Sequence, residues 1–558
     1  MSNEAVGAYI SSVTFNNGER LNVNADDIVV FVGPNNAGKS QSLRDIYFLA
    51  ASQMQNVVIS NIEVNKYPKK IESLLETLSA GIKTRNYTQY RFLQWSLTLN
   101  DDSEQRFQRC SDYGGFRELF IANLNTTNRL QICSPAQIIN RTAQKQNPIH
   151  FAAFDGEYRK WLSDNYKKAF GEELIPNTQF GATIPLCIGD NVKLPREYDD
   201  EQTRLEEYAK ILSKYKQVQD QGDGVKSFTG ILLYLMLHHY CTYLIDEPEA
   251  FLHPPQARIM GQILGQSLSA HQQAFIATHS EELIKGLLET CSQRIKLVRI
   301  TRQKDINCFS VLNNQDVEMV WNDSLLRYSN IMSSLFYKNV VLCESDSDCK
   351  MYSIIEGHLK EKEGKYSETL FIHCGGKHRM AKVVKALRKL GINVKLIPDI
   401  DVLDNESVFK GIIEAVGKKW DAVSKDYRIL ISNLRSSQAD IRKDEIVRLL
   451  QSVHNDILSD EEIKNLNAAI RKPSKWNEIK KAGKKAIPSG GATQAFERID
   501  DALRKEGVFL VPVGELEGFI KSVGGHGPEW VNAVLEENSD LDSDQYKEIR
   551  EFIKGLAV

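Results

Sequence analysis

A chain of 558 residues has room for two or three domains, each with a core of its own. Lys+Arg 70 against Asp+Glu 73 leaves a net charge of -3, which excludes attraction of the whole molecule to nucleic acid and leaves any such contact to local basic patches. The nine cysteines (Cys110, Cys133, Cys187, Cys241, Cys291, Cys308, Cys343, Cys349 and Cys374) form no C-x-x-C pair, the N-terminus is polar, and the longest apolar run, Ile231 to Leu237, is too short for a bilayer; a cytoplasmic protein with reduced thiols and no membrane association is expected.

From the N-terminus, alternation predicts strands over Ala8–Phe15 and Arg20–Val23, joined by a turn at Asn16-Asn17-Gly18. The apolar run Ile28–Val32 then leads into Gly33-Pro34-Asn35-Asn36-Ala37-Gly38-Lys39-Ser40, and a helix is expected over Gln41–Ala50. Strand, glycine loop, Lys-Ser and helix is the order a phosphate-binding P-loop requires. Its glycines let backbone N–H groups turn inward around a phosphate, and the helix N-terminus adds partial positive charge. Lys39 would reach the β- and γ-phosphates of ATP and the Ser40 hydroxyl would hold Mg2+. A plain glycine turn is the alternative for this stretch alone; the motifs downstream oppose it.

Strand-like stretches follow at Tyr90–Leu99 and Leu119–Leu124. Residues 135–200 lack a clear period and suggest inserted helices and loops, and Glu201–Gln217 is charged and helical, with Leu205, Tyr208, Ala209 and Leu212 on one side. Next, Gly222-Asp223-Gly224 precedes an amphipathic helix carrying Phe228, Ile231, Leu232, Leu235 and Met236. The strand Tyr243–Ile245 ends in Asp246-Glu247-Pro248-Glu249, a Walker B arrangement: Asp246 for the Mg2+ shell, Glu247 as the general base that polarises water. Another strand, Ala274–Ala277, ends in Thr278-His279-Ser280, where His279 can touch a γ-phosphate or merely sit beside a Ser280 helix cap. In these residues the chain resembles the ABC-type ATPases, with Gly222-Asp-Gly-Val-Lys-Ser in place of the usual Leu-Ser-Gly-Gly-Gln signature. The resemblance implies that Gly222 and Gly224 meet ATP held by another subunit, and hence a homo-oligomer, dimer or higher, with composite sites. Together with Leu252-His253-Pro254 and His279, these motifs look like the ATPase of the OLD (overcoming lysogenization defect) family.

A predicted hairpin, Ile295–Ile300 with Ile306–Leu312, and a short helix over Asp323–Leu335 bring the first domain to an end near residue 335. Beyond it, Asn339–Cys343 reads as a buried strand ending in Glu344-Ser345-Asp346-Ser347-Asp348, with a helix from about Lys350. Leu370–Cys374 runs into Gly375-Gly376-Lys377 and a helix to Leu390, and Val394–Ile397 ends in Pro398-Asp399-Ile400-Asp401. This is a parallel α/β pattern with carboxylates at the C-terminal strand ends, where ligands bind. It resembles the TOPRIM fold of topoisomerases, primases and OLD nucleases. By that resemblance Glu344 and Asp348 match the first acidic motif, Asp399 and Asp401 the DxD, and Glu517, in preference to Glu515, a late acid of the site. Such carboxylates bind Mg2+ or Mn2+ through oxygen. Ser345 stands where the family has Gly, and Asp346 is an extra acid that leaves Asp346 and Asp348 in competition; acids capping a helix are the alternative for one of them. Residues 431–505 read as a helical insertion, followed by a strand at Val508–Val513. Within it Arg471, Lys472, Lys475, Lys480, Lys481, Lys484 and Lys485 crowd around Trp476, either a solvated face or a phosphate-contacting arm.

The expected architecture is therefore α/β throughout: an ABC-type P-loop ATPase over 1–335 with an insertion at about 135–217, then a TOPRIM domain over 336–558 with a helical insertion at about 431–505. The resemblance implies an ATP-hydrolysing, divalent-metal-dependent endonuclease with Glu344, Asp348, Asp399, Asp401 and Glu517 at the metals and DNA as the expected target. Members of this kind serve in bacterial defence against phage as Gabija-like, PARIS-like or retron-associated effectors, the last with a reverse transcriptase and its DNA product as partners. An ATP-gated sensor that controls another defence-system protein through an inert TOPRIM domain, and a ribonuclease acting on RNA such as tRNA, are the competing readings.

Overall fold

The computed structural model describes residues 6–53, 57–78, 81–93, 95–190, 192, 200–312, 331–436, 443–451, 459–470 and 475–556. The chain divides into two compact units, 1–327 and 328–558. Of the helix expected over Asp323–Leu335, residues 323–330 lie outside the described residues, and Met332–Phe336 is a 3-10 helix.

The first unit is built on a six-stranded sheet in the order Ile306–Leu312, Ile295–Gln303, Ile28–Val32, Gln273–Ala277, Thr242–Asp246, Ile121–Leu124. The expected hairpin at one end is antiparallel and every other pairing is parallel. Strand Ile28–Val32 is buried along its whole length, as an uninterrupted Ile-Val-Val-Phe-Val run covered on both faces must be. Strand Gln273–Ala277 lies between it and the strand ending in Asp246, with Ala277 paired to Phe31 on one side and Asp246 on the other. That register brings the P-loop, Asp246 and Thr278-His279 to one end of the sheet. A separate antiparallel sheet, Arg20–Asn22, Ala8–Phe15 and Ile59–Lys66, packs Ile10, Val13, Phe15 and Ile59 against Phe31, Leu43 and Ile46 in one core.

The insertion departs from a helix-and-loop reading. Helices Pro148–Phe154 and Gly156–Phe170 are joined by a small antiparallel sheet of Glu173–Pro176, Leu186–Gly189 and Lys216–Gln217, and Ala136–Gln137 pairs with Thr183–Ile184. Strands of two to four residues are too short to display a period of two, so no alternation announces them. The helix expected over Glu201–Gln217 ends at Leu212, and Lys216–Gln217 is a strand instead; of the helix's apolar stripe only Leu212 is buried and Leu205 is 40% exposed.

The second unit has a parallel sheet in the order Thr369–His373, Asn339–Cys343, Val394–Ile397. The expected strand at Val508–Val513 is an extended segment: Phe509 N–H donates to Leu396 O at 2.9 Å and Val511 N–H to Pro398 O at 3.1 Å. Helix Asp346–Lys362 begins earlier than Lys350 because Ser345 and Asp348 form a reciprocal capping box. Helices begin ahead of 431, with Glu406–Ala415 and Asp421–Ser436, and the latter packs on Gly491–Arg504. C-terminal helices Gly527–Glu537 and Lys547–Gly555 place Trp530, Val531, Ile549 and Phe552 in the core with Val341, Met351 and Tyr352. Among the described residues no helix is long and apolar enough to cross a membrane.

Candidate functional site: a P-loop site and an acidic cluster

The loop Gly33–Ser40 needs its glycines. Gly33 has φ +143°, and a Cβ there would stand 2.1 Å from Ile300 O; Gly38 has φ +104° and would meet Val58 at 2.8 Å. Lys39, 5% exposed, heads the helix Lys39–Leu49 and donates through Nζ to Gly33 O at 2.9 Å and Pro34 O at 2.8 Å. Burial lowers its pKa to about 8, against the pull of Glu247, Glu249 and Asp246. Asn35, Asn36, Gly38, Lys39, Ser40, Glu247 and His279 line one cavity of about 540 Å³, together with Arg44, Arg302, Asp305 and Asn307. Ala37 is held from below, its carbonyl accepting from Asn307 Nδ2 at 2.7 Å.

Asp246 ends its strand with a buried carboxylate oxygen that meets no hydrogen-bond donor among the described residues, a fit for a cation-bound water or the cation itself. Glu247 takes a left-handed conformation, φ +48°, and its carboxylate lies 3.7 Å from His279 Nε2. His279 is kept neutral at pH 7: burial, then repulsion from Lys39, lowers its pKa to about 4. Ser280 caps the next helix through Leu283 N–H at 3.2 Å, as the cap reading of this turn expects, while His279 lines the cavity. Two residues of the site escape motif reading. Glu249 accepts from Thr278 Oγ1 at 2.7 Å and from His279 N–H at 2.8 Å, and so ties the histidine turn to the Walker B loop. Arg129, wholly buried, donates to Asp246 O and to Glu247 O, the latter at 3.2 Å. Glu249 had a signal, as the second acid of Asp-Glu-Pro-Glu; Arg129, alone in Thr126–Gln131, had none.

Gly222 and Gly224 are not among the residues lining this cavity. Gly222 caps the helix Asp223–Leu235 with ordinary backbone angles, and a Cβ there would meet nothing within 4 Å. Gly224 has a different need: a Cβ would stand 2.4 Å from Phe251 O in the loop after Glu247 of its own chain.

In the second unit the ends of strands Asn339–Cys343 and Val394–Ile397 converge. Ligand-capable oxygens of Glu344, Asp399 and Asp401 lie within 4.8 Å of one another, and Glu344 Oε1 accepts from Asp399 N–H at 3.0 Å. Burial pushes Glu344 up to about 7, with Asp401 and Asp348 adding to the shift against the Asp399 hydrogen bond and Lys377. Burial, then Glu344, Asp348 and Asp401, drives Asp399 well above the usual carboxylate range. Asp348 is buried and faces the cluster, its carboxylate accepting from Ser345 N–H at 2.8 Å, while Asp346 is 57% exposed and pairs with Lys350 at 2.8 Å. Asp346 is the helix-end acid. Ser345, in place of Gly, is the cap.

A second group, Glu515, Glu517 and His526, also gathers within 4.8 Å. Glu517 Oε1 accepts from Gly527 N–H at 2.8 Å and lies 2.6 Å from His526 Nδ1. The carboxylate of Asp348 is raised by burial first and by Glu517 as well, and it in turn raises Glu344 and Asp399, so it interacts with both groups. Glu515, passed over in favour of Glu517, belongs to the same group. Lys377 lies 3.0 Å from Asp401 Oδ1, and Lys480 reaches Asp401 at 3.6 Å and Glu515 at 3.4 Å. One residue of the expected basic arm is thus a member of the site. Its Trp476 is 8% exposed and packed in the core, unavailable for stacking on a base, and Arg471 and Lys472 lie outside the described residues.

Like charges this close cannot all ionise without a counter-charge, and a pair of oxygen-binding divalent cations supplies one. The donor set fits such ions. Because Glu344 and Asp399 must lose their protons to bind one, apparent metal affinity is expected to rise with pH through about 7, the value to which Glu344 is pushed. At a fixed protein concentration the pH at half occupancy should move lower as metal concentration rises. A titration of Mg2+ or Mn2+ binding across the range from about two units below that value to about one above it checks this; an affinity flat across that range would contradict the assignment.

Residues 28–285 match the AAA domain family AAA_21, and residues 335–401 match the overcoming lysogenization defect protein-like TOPRIM domain. The first match spans the P-loop through His279; the second holds Glu344, Asp348, Asp399 and Asp401. The chain is similar to the Old nuclease of Escherichia phage P2, 21% identical over 56% of this chain and 49% of that protein. It is also similar to Endonuclease GajA of Bacillus cereus (strain VD045), 22% identical over 73% of this chain and 77% of that one. The match thus spans about half the length of the first relative and three quarters of the second. Among solved structures, an SMC head bound to the C-terminal winged-helix domain of ScpA aligns over 55% of this chain and 98% of its own, at 13% identity and a TM-score of 0.34. The chain thus carries an AAA domain followed in one polypeptide by an OLD-like TOPRIM domain.

Proposed function

We propose that the chain is an ATP-hydrolysing, divalent-metal-dependent endonuclease, with DNA as its target and phage defence as its biological setting. The convergence of Glu344, Asp399 and Asp401 on one point, with Asp348 leading to a second group at Glu515, Glu517 and His526, carries this reading. Bound Mg2+ or Mn2+ would stabilise charge on the attacking and leaving oxygens of a phosphodiester. The carboxylates hold the ions. Lys377 and Lys480, poised at Asp401, balance the cluster and offer positive charge to the scissile phosphate. Incubation of the purified protein with supercoiled plasmid, linear DNA and total RNA, with Mg2+, Mn2+ or EDTA, tests it. DNA cleavage blocked by EDTA supports the reading; cleavage of RNA alone moves the target, and no cleavage of either favours the ATP-gated sensor. The Gabija-like, PARIS-like and retron-associated settings differ in partner, and co-purification from the native host distinguishes them.

The ATP sites are proposed to be shared between two copies, each completed by the partner's Gly222 loop. Absence of Gly222 and Gly224 from the lining of their own nucleotide cavity supports this. Gly222→Arg is the suitable probe, since the position has open space, whereas any side chain at Gly224 collides with Phe251 O in its own chain. Mixed with Lys39→Ala, which keeps an intact Gly222 loop, Gly222→Arg should recover part of the hydrolysis that both lack alone. Verified mixed dimers without recovery would count against a shared site.

A further inference from the structure

The first unit holds a recess that neither the nucleotide cavity nor the acidic cluster uses. Its smaller lobe, about 190 Å³, is bounded by Tyr47, Glu118, Asn123, Tyr234 and Tyr240. A larger lobe of about 740 Å³ adds Gln131, Ser134, Gln137 and His150, and the two share Leu93, Asn128, Ile132, Gln146 and Tyr234, so they are continuous. The size suits a small organic ligand, for which sites of about 300–1,000 Å³ are usual.

The walls are parts of the ATPase machinery. Tyr47 stands on the helix that follows the P-loop, Tyr234 on the helix that Gly222 caps, and Asn123 on the edge strand beside the Asp246 strand. Asn128, whose amide donates to Asn123 O at 2.8 Å, adjoins Arg129, the residue that grips the Asp246 and Glu247 carbonyls. Anything seated here touches the helix after the P-loop, the helix that Gly222 caps and the strand beside Asp246.

The lining chemistry selects the ligand. Tyr234 and Tyr240, with ring centroids 6.1 Å apart, give flat apolar faces, and Asn123, Asn128, Gln131 and Gln146 bring amides that both donate and accept. Among the described residues no Lys or Arg lines either lobe. The neighbouring guanidinium of Arg117 is committed to Glu118 at 2.9 Å and to the face of Tyr47 at 3.9 Å. His150 has both nitrogens engaged, Nδ1 accepting from Gln146 N–H at 3.1 Å and Nε2 at 2.7 Å from Gln137 O, and burial holds it neutral. Lys145, which precedes Gln146, sits over the Phe151 ring at 5.4 Å and outside the lining, so the walls themselves offer a phosphate no counter-charge. We propose that this recess binds the base of a free nucleoside, as an effector site whose occupancy is transmitted to the Walker B loop through Asn128 and Arg129.

Full-length Lys39→Ala protein, in which the P-loop is disabled, should bind at least one of adenosine, guanosine, cytidine, uridine and thymidine in the micromolar-to-millimolar range by calorimetry. The matching 5′-monophosphate should bind about tenfold more weakly or worse, the reverse of P-loop preference. Ser134→Trp, which fills the mouth, and Gln146→Leu, which removes an amide, should each lose nucleoside binding with unchanged melting temperature. In otherwise wild-type protein the same nucleoside should change the ATP hydrolysis rate at least about twofold, and in Ser134→Trp it should not. Binding that persists in both recess variants, tighter binding of the monophosphate, or no binding by any of the five to a folded protein would overturn the proposal. Its outcome is independent of whether the acidic cluster cleaves nucleic acid.

Discussion

Asp401→Asn is expected to reduce nucleic-acid cleavage several hundredfold or more while leaving ATP hydrolysis unchanged. Asp401 shares a point with Glu344 and Asp399, all within 4.8 Å, and removing one ligand from a metal pair forfeits several kcal/mol of transition-state stabilisation. The substitution keeps side-chain volume and relieves repulsion among carboxylates already forced above their usual range. The metal-free protein should therefore melt no lower than wild type. A purely structural acid predicts the opposite pair of results. If Asp401 served only to neutralise Lys377, with Lys480 keeping Glu515, its loss would strand one partly buried cation, lower stability and leave cleavage intact. Cleavage, ATPase rate and melting temperature measured on one preparation separate the two. Wild-type cleavage with a lowered melting point would remove the metal assignment and promote the sensor reading.

Glu247→Gln should bind ATP normally and hydrolyse it about a hundredfold to ten-thousandfold more slowly, the range a positioned general base contributes. Glu247 lines the same cavity as Lys39 and Ser40, and a left-handed backbone aims it there, fixed on one side by Arg129 at its carbonyl. The neutral His279, 3.7 Å away, can accept or donate a hydrogen bond at pH 7 without competing for a proton. Lys39→Ala should instead lose ATP binding, because its ammonium is the buried positive charge inside the phosphate loop. Nucleotide binding and single-turnover hydrolysis on both variants test the division of labour. A Glu247→Gln protein with wild-type turnover would show that another group activates the water.

The local signals were strong where chemistry and backbone geometry reside in consecutive residues. Gly33–Ser40, Asp246-Glu247 and Asp399-x-Asp401 each couple an apolar strand to a turn of fixed chemistry, so sequence alone determined the two α/β units, the nucleotide loop and the acids at the strand ends. It could not rank Asp346 against Asp348. That choice depended on the rotation of a helix whose first turn is set by the Ser345 cap, which buries one acid and exposes the other. Tertiary structure alone brought in Arg129, which reaches Asp246 from an element distant in sequence and carries no local pattern; it singled Lys480 out of the basic run and added His526 to Glu517. It also turned Trp476 inward, where burial outweighs the basic residues around it, and assembled the 135–217 insertion from strands too short to show a period. Short-range propensity specifies what a segment can become; long-range packing decides which of its side chains meet.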